Sequence, residues 1–414
     1  MTHLKWEQEL AELLKDPDML LRLAKDVSIT TTQDFRFVSM SGNGPFIWDA
    51  NGKRYFDFHS AVGSMNLGHA VHKVEEAIFR QGFLLDQFSD QDVPNAVSTL
   101  LKLRLTQITP GRFPKKVFLC NSGTEAIEGA IKMLLAARPE RRYFISFVGA
   151  FHGRTLGSLA LHGSKDINRE RFPQSLEVIR LPFPEVGKYA DENDWWRKFF
   201  ISMGAGNILR PWVNGVFIEL VQGEGGINVA DPRIVQSLCR FLKGHGIKLV
   251  VDEIQTGFYR TGKLFACEHY GIEPDIICFG KAAGGSLPFG AVVANADLDF
   301  DKPGRLSNTF GGSQKVAAAA LTVIELMQSL DMDLLKRNIE ILTDFAPEGL
   351  GLMRRWRFES KELRDAFVME AENRGVHLLG AGRANVRFMP QVNIPTELLE
   401  EALAILRSID IPHL

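Results

Sequence analysis

Between Lys115 and about Asn295 the chain repeats one pattern: a short apolar or β-branched run, a Gly or polar turn, then a helix-like stretch. The runs fall at residues 117–119, 143–148, 216–220, 248–251, 276–279 and 291–294. Strands that are apolar throughout, rather than at alternate positions, have both faces covered, and helices between them act as crossovers of a mostly parallel sheet. The expected fold class is α/β. Ligands of such sheets bind beyond the carboxyl ends of the strands, so the residues directly after these runs are the ones to search for chemistry.

A chain of 414 residues has room for one large core with a smaller one beside it. Residues 1–57 carry one amphipathic helix pattern and then GPFIWDANGKRYFDF, a hairpin turning at 49–52. After Gly312 the chain turns helical and ends in the strand-like ANVRFMPQVNI and a helix over 396–408. The expected division is therefore 1–60 and 306–414 as the two parts of a small α+β domain, with 61–305 as the large domain.

Lys and Arg total 48 against 50 for Asp and Glu, and no dense basic stretch is interleaved with aromatics, so nucleic acid is not an expected partner. Cys120, Cys239, Cys267 and Cys278 lack the paired spacing of zinc ligands or redox couples, and no metal is expected. Charges interrupt the apolar residues of the N-terminus, unlike a signal peptide, and no apolar run approaches the roughly 20 residues that span a bilayer. A cytoplasmic protein away from membranes is expected.

Three segments stand at run ends. Ser122, Gly123 and Thr124 in CNSGTEA open a helix, where unpaired N–H groups, a glycine and two hydroxyls make a phosphate cradle; the same signature also marks an ordinary Ser/Thr N-cap. Asp252 ends KLVVD, where a buried carboxylate can pair with a protonated pyridine nitrogen, although a strand-end acid equally serves as a metal ligand or turn former. Lys281 ends DIICFGK ahead of small residues, and a poorly solvated lysine has a lowered pKa suited to Schiff-base chemistry.

Taken in order, NSGTEA, AFHGRT, IELVQGEGG, VVDEIQTGFYRTGKLFACEHYGIEPDIICFGK, GGSLPFGAVV and NTFGGSQ resemble the class III aminotransferases, pyridoxal-phosphate enzymes of fold type I. The likeness covers roughly residues 40 to 325. It implies a mostly parallel sheet of the seven-stranded type, and a small domain built from both chain ends. It assigns Gly123 and Thr124 to the phosphate, Phe151 to one ring face with His152 beside it, and Ile254 to the other face. Asp252 would hold the ring nitrogen, Gln255 the 3-hydroxyl, and Lys281 the cofactor itself as a Schiff base. Thr309 would reach the phosphate of a neighbouring subunit, since the family's sites lie at a homodimer interface.

The resemblance also bears on substrates. Arg387 aligns with the arginine that takes the α-carboxylate of glutamate or 2-oxoglutarate, and Glu224 with a glutamate that neutralises it while an ω-amino donor is bound. Arg154 would hold that donor's distal carboxylate. Glu219, retained where the usual EPVQGE proline is missing, and Val62 in AVGSMNLGH complete the substrate set. An amine donor and a 2-oxo acid acceptor are the implied partners. RLSNTFGG, GLGLM and NVRFMP look most like lysine 6-aminotransferases, while GGSLPFGAVV looks more like the 4-aminobutyrate group. A racemase or epimerase of the same family would use the same cofactor residues but has no need of a 2-oxoglutarate pocket. A silent phosphate-binding protein would leave Lys281 without a covalent partner.

Overall fold

The computed structural model describes residues 4–31, 36–203 and 211–410. Its main sheet has seven strands, in spatial order Lys115–Cys120, Gly290–Asn295, Ile276–Gly280, Lys248–Asp252, Val213–Ile218, Tyr143–Phe147 and Glu177–Leu181. All pair in parallel except Gly290–Asn295, which runs antiparallel to both neighbours. Every apolar run of the sequence coincides with one of these strands. Val213–Ile218 and Ile276–Gly280 are buried at every position, and each enclosed Val, Ile or Phe contributes about 1.5–3 kcal/mol of transfer free energy. The outer strand Glu177–Leu181 was not legible, because at a sheet edge EVIRL keeps only Leu181 fully buried.

The helix Gly123–Ala137 lies against this sheet through Ala126, Ile127, Ala130, Ile131 and Leu134, all buried. Its first residue approaches the sheet closely: a Cβ on Gly123 would stand 2.7 Å from Ile254 Cδ1, and the backbone of Gly123 is itself 3.3 Å from where a Gly280 Cβ would be. The helix start and two strand ends are thus pressed together at one spot.

The chain ends meet in a second sheet. Ser39–Asn43, Phe46–Asp49 and Arg54–Asp57 form an antiparallel meander, and Val376–His377 adds in parallel to Arg54–Asp57. Asp49 fixes the expected hairpin turn by accepting from Asn51 N–H and Lys53 N–H, both at 2.9 Å. The N-terminal segment holds two helices, Lys5–Leu13 and Pro17–Val27, where the sequence pattern predicted one. Asp16 caps the second by accepting from Met19 N–H (2.9 Å), and Pro17 at its first position needs no donor.

A third, antiparallel sheet runs Glu348–Leu350, Met353–Arg357, Asn385–Phe388 and Leu379–Ala381. Only the strand around Arg387 was visible in the sequence. MRRWR does not read as a buried strand, yet Arg354 and Arg355 are both buried there. Among the described residues no helix is long and apolar enough to cross a membrane.

Candidate active site

Five strands deliver their following residues to one cavity of about 300 Å³. Gly123 and Thr124 come from the end of Lys115–Cys120, and Phe151 to Arg154 from beyond Tyr143–Phe147. Glu219 follows Val213–Ile218, Asp252 closes Lys248–Asp252, and Lys281 follows Ile276–Gly280. This is the carboxyl edge of the sheet, where a doubly wound fold leaves its crevice. Gly153 and Thr256 also line the cavity; the sequence reading passed over both, although each adjoins a residue it singled out.

Asp252 is buried and fully engaged on its inner side. Ile254 N–H donates to Oδ1 (3.0 Å), and His152 Nδ1 lies 2.8 Å from Oδ2. Burial opposes a charge on His152, but the hydrogen bond and charge of Asp252 outweigh it and raise its pKa. Lys281 sits at φ 48°, a left-handed conformation that non-glycine residues hold only where the surrounding structure dictates it. Burial lowers the pKa of its amine; Glu224 pulls the other way, while Arg387 adds to the lowering. A lowered pKa makes an amine more available as a nucleophile and a base.

At the other end of the cavity Thr124 Oγ1 shares hydrogen bonds with Ser158 Oγ (2.7 Å) and Thr155 Oγ1 (2.9 Å). Glu128 organises that hydroxyl cluster, accepting from Ser158 N–H (2.9 Å) and from Thr155 Oγ1. Neither Ser158 nor Glu128 carries a signal in the sequence, since each is brought in by tertiary packing. Ser122 takes the plainer of its two readings: it is the helix N-cap, its hydroxyl accepting from Glu125 N–H (3.3 Å), and it does not line the cavity.

Gln255 is held from behind. Its Nε2 donates to Val62 O (3.1 Å), while Oε1 is buried without a hydrogen-bond partner among the described residues. Val62 therefore touches the site through its carbonyl and does not line the cavity. It belongs to a turn in which Ser60, Ala61 and Val62 all have positive φ, between 46° and 61°. Asp57 and His59 hold that turn: Asp57 Oδ2 accepts from Ala61 N–H (3.0 Å) and His69 Nε2 (2.8 Å), and His59 Nδ1 accepts from Val62 N–H (2.8 Å).

Two histidines near the site are kept neutral. Burial pushes His59 down to about 4, with His377 and Arg387 reinforcing it against the pull of Asp57. Burial also pushes His162 down to about 4, and its Nε2 must stay unprotonated to accept from Lys165 N–H (3.4 Å). Unfolded histidine titrates near 6.5, so between about 6.5 and 4 the unfolded chain binds protons that the folded one does not. Their contribution is whole above that window and is lost as pH falls through it, with a slope of about 1.4 kcal/mol per pH unit for each fully buried group. Glu219 and Glu253, whose carboxyls burial pushes up to about 7, act in the opposite sense over the same range, so the test is a difference: the urea midpoint of the cofactor-free wild type is expected to fall relative to that of His162→Gln as pH drops from 6.5 to 4. A difference that stays constant across that range would contradict this assignment.

The acids divide by what they face. Glu219 lines the cavity, but both its oxygens are taken by backbone, Oε1 by Phe151 N–H (2.8 Å) and Oε2 by Gly223 N–H (3.0 Å). Burial pushes its pKa up to about 7. Glu224 pairs with Arg387 at 2.6 Å; burial opposes its charge, yet Arg387, and Lys281 beyond it, keep its carboxyl below the usual range. Arg387 is only 3% exposed, and its Nε has no hydrogen-bond partner among the described residues. Arg154 stands exposed at the cavity wall with its guanidinium 5.4 Å from the Phe151 ring centroid. Thr309 is exposed and outside this cavity, its carbonyl accepting from Gln87 Nε2 (2.7 Å).

Residues 29–409 match the model of the family described as Aminotransferase class-III. The chain is 33% identical over 406 residues to a probable 4-aminobutyrate aminotransferase of Bacillus subtilis, covering 90% of this chain and 92% of that protein. It is 34% identical over 396 residues to a 2-aminoadipate transaminase of Pseudomonas putida, covering 88% and 93%. In fold it is similar to the ornithine aminotransferase of Toxoplasma gondii, with a TM-score of 0.86 over 98% of this chain and 97% of that one at 24% identity. With that cavity at the carboxyl edge of its sheet, and a family match over nearly its whole length, the chain belongs to the class-III aminotransferases.

Proposed function

We propose that the enzyme moves a terminal amino group from an ω-amino acid to a 2-oxo dicarboxylate such as 2-oxoglutarate, using pyridoxal phosphate held at Lys281. The cofactor fits what the cavity offers. Gln255 Oε1 is a buried acceptor with no protein partner, suited to a ring hydroxyl. Gly123 opens a helix whose first N–H groups face the Thr124 hydroxyl cluster, suited to a phosphate. Asp252 would pair with a ring nitrogen, and Phe151 and Ile254 are the two candidates for the ring faces.

When bound, the cofactor supplies an electrophilic carbonyl carbon and an electron-withdrawing ring. The chain supplies the rest. Asp252, oriented by His152 and Ile254 N–H, would keep a proton on the ring nitrogen. Lys281 Nζ would hold the cofactor and, when free, would serve as the base that takes the proton from the substrate's amine-bearing carbon and delivers it to the cofactor's carbonyl carbon. Thr309 would serve a second copy of the chain. Beside it lies an exposed apolar face with Phe79, Phe83, Leu84, Phe88 and Phe310, which a homodimer would cover.

The observation that carries the substrate reading is the Glu224–Arg387 pair. A buried arginine fork is a bidentate carboxylate site, and an acid on it that gives way to substrate would let one pocket take a dicarboxylate or a chain with no carboxylate there. A racemase has no use for that alternation. Lysine and 4-aminobutyrate head the candidate donors, the first from the motifs and the second from the motifs and the name of the Bacillus subtilis relative. Mixing enzyme with single amines and following the cofactor's visible band tests this. Lysine, ornithine or 4-aminobutyrate is expected to bleach the band, and 2-oxoglutarate to restore it. Bleaching by alanine alone, or loss of substrate chirality without bleaching, would contradict the reading.

A further inference from the structure

The loop that presents Glu224 is held partly by its own bonds, Ile227 N–H to Gln222 O (2.8 Å) and Asn228 Nδ2 to Gly225 O (3.2 Å), and partly from outside. It turns between the two-residue strands Val221–Gln222 and Asn228–Val229, and Ile227, a β-branched residue, sits there at φ 60°. Such a conformation persists only where the surroundings over-determine it. The surroundings are the sheet that carries Arg387. Arg355 Nη1 donates to Gly226 O (2.6 Å) and to Asn228 Oδ1, Asn385 Nδ2 donates to Gly226 O (2.9 Å), and Gly382 N–H donates to the carbonyl of Glu224 itself (3.0 Å).

Arg355 and Arg387 are directly opposite one another in the antiparallel pair, so both side chains leave the same face of the sheet. Like charges so placed repel, and each is balanced by acids of its own. Glu224 lies 2.6 Å from Arg387, while Glu185 (3.0 Å) and Glu348 (2.8 Å) hold Arg355. Arg355 is 4% exposed, so this is a buried clamp rather than a surface ion pair.

We propose that Arg355 is a positioning residue for substrate alternation: by pinning the loop at Gly226 and Asn228 it keeps Glu224 on Arg387, and so sets how often Arg387 is free for a dicarboxylate. This rests on the reading of Glu224 and Arg387 given above. A ligand that needs a free Arg387 binds with an affinity reduced by the fraction of molecules in which it is free. Loosening the loop raises that fraction.

The test is calorimetric binding of glutarate, an unreactive dicarboxylate, to the cofactor-loaded enzyme. Arg355→Met is expected to bind it on the order of tenfold more tightly than wild type. Its KM for 2-oxoglutarate should fall and that for a terminal-amine donor rise, with kcat unchanged; a merely structural role would not split the two. Arg355→Lys, which restores the charge without the fork, should fall between. Arg357→Gln is the control, since Arg357 bonds Glu348 (2.7 Å) and Glu185 (3.2 Å) without touching the loop, and it should match wild type. Glu224→Gln sets the ceiling by uncovering Arg387. If Glu224→Gln tightens glutarate binding and Arg355→Met does not, the role of Arg355 is overturned while the alternation stands. If Glu224→Gln leaves binding unchanged, the alternation itself falls, and Arg355 with it. Should Arg355→Met fail to fold, Asn385→Ala removes another bond to Gly226 O and is judged by the same two outcomes.

Discussion

Lys281→Ala protein is expected to fold, to bind pyridoxal phosphate only reversibly, and to lose transamination by at least about 10⁴-fold. The size follows from two roles vested in one amine. In the proposed mechanism Lys281 is the covalent anchor and also the base, and burial lowers its pKa. Alanine removes both, and among the described residues no other lysine lines the cavity to replace them. Borohydride, which fixes the wild-type cofactor to the chain, should leave the variant's cofactor removable by dialysis. A variant that still turned over at a tenth of the wild-type rate would contradict the assignment.

Asp252→Asn should lower kcat by about 10²–10³-fold while leaving the protein folded, the size expected when one preorganised charge facing the reacting group is removed. The carboxamide can still accept from Ile254 N–H, which now donates to Asp252 at 3.0 Å. It carries no charge to keep a proton on the ring nitrogen. His152 loses the partner that raises its pKa, and burial then drives it neutral. Cofactor affinity and the visible spectrum of the variant, read beside its rate, separate lost chemistry from lost binding. A rate within threefold of wild type would place the ring elsewhere.

The sheet was legible because its inner strands are apolar at every position, as at Val213–Ile218 and Ile276–Gly280. Asp252 and Lys281 were legible for the same reason: each is a charged residue placed directly after such a run, where the fold leaves a crevice. What stayed hidden was polar residues doing buried work. The strand Met353–Arg357 buries two arginines beside Met353 and leaves Trp356 half-buried and Arg357 exposed, so no pattern of hydrophobicity announces it. Ser122 and Glu219 carry ambiguous duties in the sequence, since a hydroxyl or a carboxylate at a strand end serves backbone N–H groups as readily as a ligand. The structure commits both to backbone. The turn at Ser60 to Val62 could not be foreseen, because three successive non-glycine residues with positive φ, the β-branched Val62 among them, run against local preference and are held there by Asp57 and His59.

The account stands or falls on the lysine. Purified enzyme reduced with borohydride and digested should yield one modified peptide, containing Lys281, with the mass of a reduced pyridoxyl phosphate added to that side chain. A modification on any other lysine, or none, would contradict the central claim.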